Sequence, residues 1–128
     1  MPPRRSTTLT EAELPLMEVL WQKGSATVQQ VLEALPRKPR LAYNSVLTTI
    51  RILEKKGYLR HLKDGRAHVY IPLIGRDNAA RSAVRQVVGR FFKNSHELLV
   101  LNVLEDASLD AKELMRLREM LAKANKGQ

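Results

Sequence analysis

The sequence predicts a mostly α-helical protein that contains one small β-hairpin. Apolar residues recur at the 3.6-residue helical period through most of the 128-residue chain. Between residues 58 and 71 this period gives way to two short alternating segments, residues 58–62 and 67–71. Asp64-Gly65 stands between these segments, and Asp-Gly is typical of a tight hairpin turn.

The first predicted helix follows a capping box. Thr10 and Glu13 have the spacing at which each side chain can accept a hydrogen bond from the other residue's backbone N–H. We therefore expect the helix to begin near Glu11. Pro15 is acceptable in the first turn because its missing N–H is not needed there, and Gly24 is expected to end the helix.

A second, shorter helix is predicted by another capping box. Thr27 and Gln30 have the required spacing, and the apolar pattern continues through Leu35. Residues 25–27, which link the first two helices, are a candidate edge strand for the sheet of the hairpin. The run Pro36-Arg37-Lys38-Pro39 then breaks the chain before the third helix.

The third predicted helix, residues 42–56, has two chemically different faces. Its apolar residues at the helical period are Val46, Leu47, Ile50 and Leu53. Its polar residues are Asn44, Ser45, Thr48, Thr49, Arg51 and Lys55. Short polar side chains and cations can contact base edges and phosphates in the major groove of DNA. An ordinary solvated helix face is the alternative, and this helix alone does not separate the two interpretations.

The hairpin is expected to follow directly after Gly57, which stops the third helix. Residues 63–66 are predicted to close it as a type I′ turn with positive φ at Asp64 and Gly65. Lys63 and Arg66 then form a basic tip. Three helices and a hairpin within about 65 residues predict a winged helix-turn-helix.

The charge of the chain favours a polyanionic partner. There are 22 Lys and Arg residues against 13 Asp and Glu, a net charge of +9, and most of this excess precedes Gly75. No stretch approaches the roughly 18 apolar residues of a membrane-spanning helix, and no signal peptide opens the sequence. We therefore expect double-stranded DNA as the partner, no membrane insertion and a cytoplasmic location.

The residue patterns typical of catalytic and metal sites, including a catalytic carboxylate pair, do not appear in the sequence. It contains no cysteine, which excludes disulfides, thiolate nucleophiles and Cys-rich metal sites. No Ser-His-Asp arrangement and no Gly-rich phosphate loop is present, so we predict a non-enzyme without a cofactor. His61 and His68 lie on opposite arms of the hairpin and are candidate neighbours. A metal site there is a weaker interpretation than solvated or hydrogen-bonded strand residues.

After Gly75 the chain is predicted to be helical to its end. Residues 77–92 form an amphipathic helix, Ser95 caps a second, and Asp110 with Glu113 forms a capping box for a third. Helices this short cannot enclose all their apolar surface, so we expect a second copy of the chain to cover it. Folding back onto the winged helix of the same chain is the alternative. The residues expected at the dimer interface are Val84, Val87, Val88, Phe91, Leu98, Leu101, Leu104 and Leu117.

A family resemblance is carried by motifs spread along the chain. They are LTEAE at 9–13, MEVLW at 17–21, ATV at 26–28, VLEAL at 31–35, AYNSVLTT at 42–49, LEKKG at 53–57 and GRAHVY at 65–70. Together they resemble the penicillinase-repressor family, the BlaI, MecI and CopY type. The resemblance implies a homodimeric bacterial repressor whose winged helix binds a palindromic operator and whose C-terminal helices intertwine with those of its partner.

The resemblance also implies how repression ends. In the β-lactam-responsive members, a membrane-sensor metallopeptidase cleaves after an Asn that precedes Phe. The matching run in this chain is Leu101-Asn102-Val103, where Val replaces the Phe. Asn102 and Val103 are therefore the candidate cleavage residues, and such a metallopeptidase is a candidate partner. The copper-responsive branch carries a Cys-rich metal motif, which a chain without cysteine cannot form.

Three regions and one function follow from these interpretations. A flexible arm is predicted over residues 1–8, a winged-helix DNA-binding domain over 9–75 and a helical dimerisation region over 76–128. The predicted function is a dimeric transcriptional repressor of β-lactam-resistance or related genes. A winged-helix protein-interaction module and a sequence-tolerant DNA-binding protein are the alternatives. The residues expected to contact DNA are Arg40, Tyr43, Asn44, Ser45, Thr48, Thr49, Arg51, Lys55, Lys63 and Arg66.

Overall fold

The computed structural model describes residues 8–126 of the chain. Its elements are α1 (Leu14–Lys23), α2 (Val28–Ala34), α3 (Tyr43–Lys56), β1 (Leu59–Asp64), β2 (Ala67–Pro72), α4 (Arg76–Phe91), α5 (His96–Leu104) and α6 (Ala111–Lys126). The predicted fold class, mostly helical with one antiparallel hairpin, is confirmed. Apart from Thr8, the arm predicted for residues 1–8 lies outside the described residues.

α1 begins three residues later than the sequence predicts. The capping box itself forms, because the Thr10 N–H donates to Glu13 Oε1 at 2.9 Å and the Glu13 N–H donates to Thr10 Oγ1 at 3.2 Å. Pro15 lies in the first turn and has no N–H with which to extend the helical hydrogen bonds back to Glu11. Residues 11–13 therefore form a turn, and the regular helix starts at Leu14.

The link between α1 and α2 agrees with the sequence prediction. Ala26 and Tyr70 exchange two backbone hydrogen bonds, of 3.0 and 2.8 Å, so residues 25–27 contribute an edge bridge to the sheet. The capping box at the start of α2 is complete. The Thr27 N–H donates to the Gln30 side chain at 2.9 Å, and the Gln30 N–H donates to the Thr27 hydroxyl at 3.2 Å.

The turn of the hairpin differs from the predicted type. α3 stops at Gly57, whose φ of 94° is left-handed, and β1 follows at once. Asp64 pairs with Ala67, so the turn contains only Gly65 and Arg66. Within the described chain, φ is positive at Gly65 (64°) but at neither Asp64 nor Arg66. The type I′ prediction is therefore wrong. A type II′ turn has positive φ at only the first of its two central residues, which here is Gly65. Asp64 therefore does not adopt the left-handed conformation, which is unfavourable for a residue with a Cβ.

One cluster of buried side chains joins α1, α2, α3 and the hairpin. Its members are Leu16, Met17, Leu20, Ala26, Val28, Val31, Leu35, Val46, Ile50, Leu53, Tyr58, Leu59, Tyr70 and Ala79. Trp21 packs at its edge and donates its indole N–H to the Ile74 carbonyl at 2.8 Å. The Arg76 guanidinium lies 5.2 Å from the centre of the Trp21 ring. The first turns of α4 are thereby tied to the winged helix.

The chain divides into two compact units between Gln86 and Val87, inside α4. The sequence-based boundary lies earlier, at Gly75, because the Pro-Leu-Ile-Gly run ends the hairpin pattern there. Among residues 8–126, no helix has the length and apolar composition needed to cross a membrane.

The three helices predicted after Gly75 are all present. α4 gives way to Lys93 and Asn94, both with positive φ. The Leu98 N–H then donates to Ser95 Oγ at 3.2 Å, which caps α5 as predicted. At the start of α6, the Glu113 N–H donates to Asp110 Oδ1 at 2.8 Å.

Candidate nucleic-acid interface

The outer side of α3 presents a continuous polar stripe. Val46, Ile50 and Leu53 bury the opposite side in the core. A helix turns by about 100° per residue, so positions i, i+4, i+7 and i+11 share one face. The residues at these positions, all exposed, are Asn44, Thr48, Arg51 and Lys55. Four of the predicted DNA contacts therefore form one surface.

Ser45 and Thr49, which are also predicted contacts, lie on the flank of this stripe. Thr49 is half-buried, and its hydroxyl donates to the Ser45 carbonyl at 2.9 Å. This local bond uses the only hydroxyl proton that Thr49 has. Both residues also line an open cavity of about 390 Å³, together with Pro39 and Leu41. Thr49 is thus less available to a base edge than Thr48.

The N-terminal end of α3 carries a second group of exposed residues. Tyr43, the first residue of the helix, is 45% exposed, and Arg40 is exposed in the preceding loop. Arg37 and Lys38 are exposed in the same loop and are not among the predicted contacts. Both residues lie in the segment that leads into α3, and their charges are evident in the sequence.

The tip of the hairpin is the third basic region. Every side chain from His61 to His68 is exposed, including Lys63 and Arg66. Lys63 pairs with His68 across the strands, and Arg66 stands in the turn itself. Two cations therefore project at the end of a narrow two-stranded arm.

The base of the hairpin contacts α3 through side chains that the sequence prediction leaves out of the site. His61 Nδ1 lies 2.5 Å from Glu54 Oε2. The His61 and His68 rings stack with centroids 4.5 Å apart, which confirms that these residues are neighbours. Burial raises the pKa of Tyr70, and the Glu54 carboxylate raises it further, whereas the Arg51 charge lowers it. Within the part of the chain that is described, no group of three or more His, Asp or Glu residues could hold a metal ion.

Lys56 has a different environment from its neighbour Lys55. Its Nζ donates to Glu13 Oε1 at 2.8 Å and to the Thr8 carbonyl at 3.4 Å. Glu13 is only 4% exposed, and burial and the Glu13 charge both raise the pKa of Tyr58, burial having the larger effect. Lys56 therefore ties the end of α3 to the start of α1, while Lys55 stays on the exposed stripe.

The predicted dimerisation residues on α4 are mostly exposed. Val84, Val87 and Phe91 recur at i, i+3 and i+7 and so share a face, and Phe91 is 68% exposed. Val88 is 2% exposed, so its side chain is not part of this surface.

The predicted dimerisation residues on α5 and α6 differ in how far their side chains are exposed. α5 has no buried residue although its sequence, HELLVLNVL, is mostly apolar. Leu98 and Leu101 are exposed, whereas Leu104 and Leu117 are half-buried. An apolar helix with this much exposed surface is typical of an element that packs against another chain.

The candidate cleavage bond lies inside α5. The side-chain amide of Asn102 donates to the Leu98 carbonyl at 3.2 Å, and both Asn102 and Val103 are exposed. Cutting this bond requires the helix to open locally, because its backbone is closed by helical hydrogen bonds.

The sequence profile of the penicillinase repressor family matches residues 9–123 of this chain. The chain belongs to the penicillinase repressor family. This is a family of DNA-binding transcriptional repressors and not of enzymes. The predicted family and the predicted absence of enzyme activity are therefore confirmed.

Individual relatives agree with this assignment. The chain is 30% identical over 113 residues to the penicillinase repressor of Bacillus licheniformis, spanning 88% of each chain. It is 25% identical over 115 residues to the methicillin resistance regulatory protein MecI of Staphylococcus aureus, spanning 90% of this chain and 94% of the relative. Its fold is similar to the solution structure of the DNA-binding domain of the repressor BlaI, with a TM-score of 0.52 and 30% identity. That similarity covers 59% of this chain and 92% of the BlaI domain.

Proposed function

We propose that this chain is a homodimeric repressor that blocks transcription by occupying a palindromic operator. The observation that carries the proposal is the exposed stripe on α3, in a member of a family of DNA-binding repressors. Asn44 has the donor and acceptor that pair with adenine, Thr48 can reach a base edge, and Arg51 can bind guanine or phosphate. Lys55 extends the stripe toward the backbone.

The surrounding cations are proposed to bind phosphates and so to fix the protein on the duplex. Lys63 and Arg66 would reach the backbone from the hairpin, and Arg40 and Tyr43 from the start of α3. Ser45 is proposed to contact an adjacent phosphate. We leave Thr49 out of the base-reading set, because its hydroxyl proton is used within the helix.

A second copy of the chain is proposed to cover the exposed apolar faces of α4 and α5. Two winged helices related by a two-fold axis would then read two half-sites about one helical turn of DNA apart, or a multiple of that distance. This arrangement would act in the cytoplasm, on DNA, and it needs neither a cofactor nor catalysis.

The relatives suggest which genes are regulated and how repression ends. Two of them are named for penicillinase and for methicillin resistance, so we propose β-lactam-resistance or related genes as the targets. A membrane-sensor metallopeptidase that cuts between Asn102 and Val103 is the proposed release mechanism. Changing Val103→Phe restores the Asn-Phe pair of the β-lactam-responsive members. Cleavage of the parent chain after Asn102, with faster cleavage of this variant, would support the mechanism, and a parent chain that resists the peptidase would contradict it.

Selection from a pool of randomised DNA duplexes tests the proposed function. The full chain should enrich an inverted repeat, and its affinity for that duplex should exceed its affinity for random DNA by at least about 10³-fold. Affinity should also fall steeply with salt, because phosphate contacts release counterions. Salt-dependent binding without an enriched sequence would indicate a sequence-tolerant DNA-binding protein. No binding to any duplex would indicate a protein-interaction module.

A further inference from the structure

The hairpin is anchored in the core only at its base. Leu59 and Tyr70 are buried, and Tyr70 is bonded through its backbone to Ala26. Beyond the rung that pairs His61 with Tyr70, the side chains of β1 are exposed as far as the turn. The tip of the hairpin therefore has no packing of its own to hold it at a fixed angle to α3.

Small rotations at the base have large effects at the tip. Gly65 lies four residues beyond His61, which is about 13 Å at roughly 3.3 Å per residue. A rotation of about 10° over that length moves the tip by about 2 Å. An N–H···O hydrogen bond tolerates a range of only about 0.5 Å, so Arg66 would keep a phosphate contact only by adopting another side-chain rotamer. A contact that fixes the hairpin angle would therefore strengthen the phosphate contact of Arg66 while α3 is bound.

The contact between Glu54 and His61 has the geometry for this role. Glu54 lies on α3 and His61 on β1, on the rung where the hairpin leaves the core. Glu54 Oε2 and His61 Nδ1 are 2.5 Å apart, with both side chains about one-third exposed. An ionised carboxylate can only accept, so His61 donates its Nδ1–H. His68 stacks on the His61 ring from the side nearer the tip and restricts its rotation.

We infer that Glu54 and His61 are positioning residues for DNA binding, whose hydrogen bond sets the angle between the hairpin and α3. This inference rests on the proposed function and deepens it. The hydrogen bond lets Arg66 bind a phosphate while α3 occupies the major groove. It follows that Arg66 contributes more to binding while the Glu54–His61 hydrogen bond is present than after it is removed.

The test measures the effect of Arg66→Ala in two backgrounds of the full chain. The probe is the duplex recovered by selection, and affinity is measured between about 50 and 200 mM salt. In the parent, Arg66→Ala should make the slope of log affinity against log salt less steep by about 2, because each copy of the proposed dimer loses one phosphate contact. In the His61→Ala background, the same change should alter the slope by less than half as much. His61→Ala alone should weaken binding by a factor similar to that of Arg66→Ala alone.

Matched variants separate positioning from a general structural effect. Glu54→Ala removes the same hydrogen bond from the α3 side and should have the same effect on the Arg66→Ala slope change as His61→Ala. Because either variant removes the bond, the test can still be made if one of them does not fold. Glu54→Gln retains an acceptor oxygen and should restore the Arg66 effect. Leu62→Ala changes the next, exposed residue of β1, on the other face of the hairpin, and should leave the Arg66 effect intact. Circular dichroism and thermal melting verify that each variant is folded.

The outcomes distinguish this inference from the proposed function. An equal slope change for Arg66→Ala in the parent and in both His61→Ala and Glu54→Ala would overturn the positioning role and leave the proposed function standing. A parent that binds duplex DNA with no slope change on Arg66→Ala would overturn the phosphate contact and with it the positioning role. A parent that binds no duplex would overturn the proposed function and the inference together.

Discussion

Lys55 and Lys56 illustrate how neighbouring residues of one type acquire different roles. Both lie in the last turn of α3, where a cation interacts favourably with the helix dipole. Lys55 is exposed on the proposed DNA face, whereas Lys56 donates to the buried carboxylate of Glu13. The difference arises because successive residues of a helix point about 100° apart. Lys56 therefore contributes to stability, whereas Lys55 is available for the proposed DNA binding.

Replacing Lys56 should destabilise the fold. Lys56→Met leaves the Glu13 carboxylate, which is 5% exposed as a side chain, without its cation. Loss of a hydrogen bond to a charged, buried group lowers the free energy of unfolding by about 2–3 kcal/mol. Lys55→Met is the matched control, because it removes the same charge from the same helix end without breaking an ion pair, and its effect should stay within about 0.5 kcal/mol. Urea unfolding of both variants measures the difference, and equal losses would show that the ion pair adds nothing.

Thr48 and Thr49 offer a similar comparison for DNA recognition. Thr48→Ala should weaken binding to the selected duplex by about 1–3 kcal/mol and binding to random DNA by much less, because a base contact is lost. Thr49→Ala should cost less on the selected duplex, since the Thr49 hydroxyl already donates to the Ser45 carbonyl. Titration of each variant with both kinds of DNA measures this. If Thr48→Ala costs the same on both duplexes, α3 does not read bases through this residue.

At the scale of the elements, the end of α3 determines where the hairpin begins. Gly57 has a φ of 94°, and the N–H groups of Gly57 and Tyr58 bond back to the carbonyls of Glu54 and Leu53. A residue with a Cβ is strained in this conformation, although nothing else obstructs the space around it. The stop of α3 is therefore local, and it sets the start of β1 two residues later.

A substitution at Gly57 tests this stop. Gly57→Ala should lower the free energy of unfolding by about 1–2 kcal/mol, because alanine disfavours positive φ. Gly57→Asn should lose less, since asparagine adopts left-handed conformations more readily. Thermal or urea unfolding of the two variants measures the effect. A Gly57→Ala chain as stable as the parent would contradict a conformational requirement for glycine.

The sequence predicts helices and turns that depend on residues a few positions apart. It does not predict contacts between segments that are distant in the chain. The capping residues Thr27 and Ser95 act on a residue three positions away, so their spacing is visible in the chain. The Lys56–Glu13 pair joins residues 43 positions apart, which no local pattern reveals. The turn type was missed because Asp64-Gly65 favours one turn while the strand register places Gly65 and Arg66 at its centre.

The same limit applies to the candidate site. Helical periodicity places six polar residues of α3 opposite its apolar face, and all of them are exposed except Thr49, which is half-buried. The Glu54–His61 contact depends on how the hairpin lies against α3, and that angle is a property of the packed core. The sequence alone therefore shows which residues share a face of α3. The orientation of the hairpin relative to α3 is known only from the folded structure.

At the scale of the whole molecule, the two units differ in how well they bury their apolar residues. The first unit has a continuous core, whereas α5 in the second has no buried residue and α4 exposes Phe91. Exposed apolar area of this kind is stabilised when a second copy covers it. The proposed dimer would also place two winged helices on one duplex, where binding by the first raises the effective concentration of the second.

A charge placed in this surface should therefore separate dimerisation from folding. Leu101→Asp puts an unpaired carboxylate where a partner chain is proposed to pack. The dimer then loses the apolar burial of Leu101 and also has to desolvate the charge, and both effects weaken association. The core of the winged helix contains no residue of α5, so that unit should stay folded. We expect sedimentation to show a monomer, and affinity for the selected inverted repeat to fall by roughly 10² to 10⁴-fold. Ala107→Asp adds the same charge at an exposed position just beyond α5 and should leave both measurements unchanged. A folded, monomeric Leu101→Asp chain that binds the inverted repeat as tightly as the parent would show that this protein does not obtain its affinity from dimerisation.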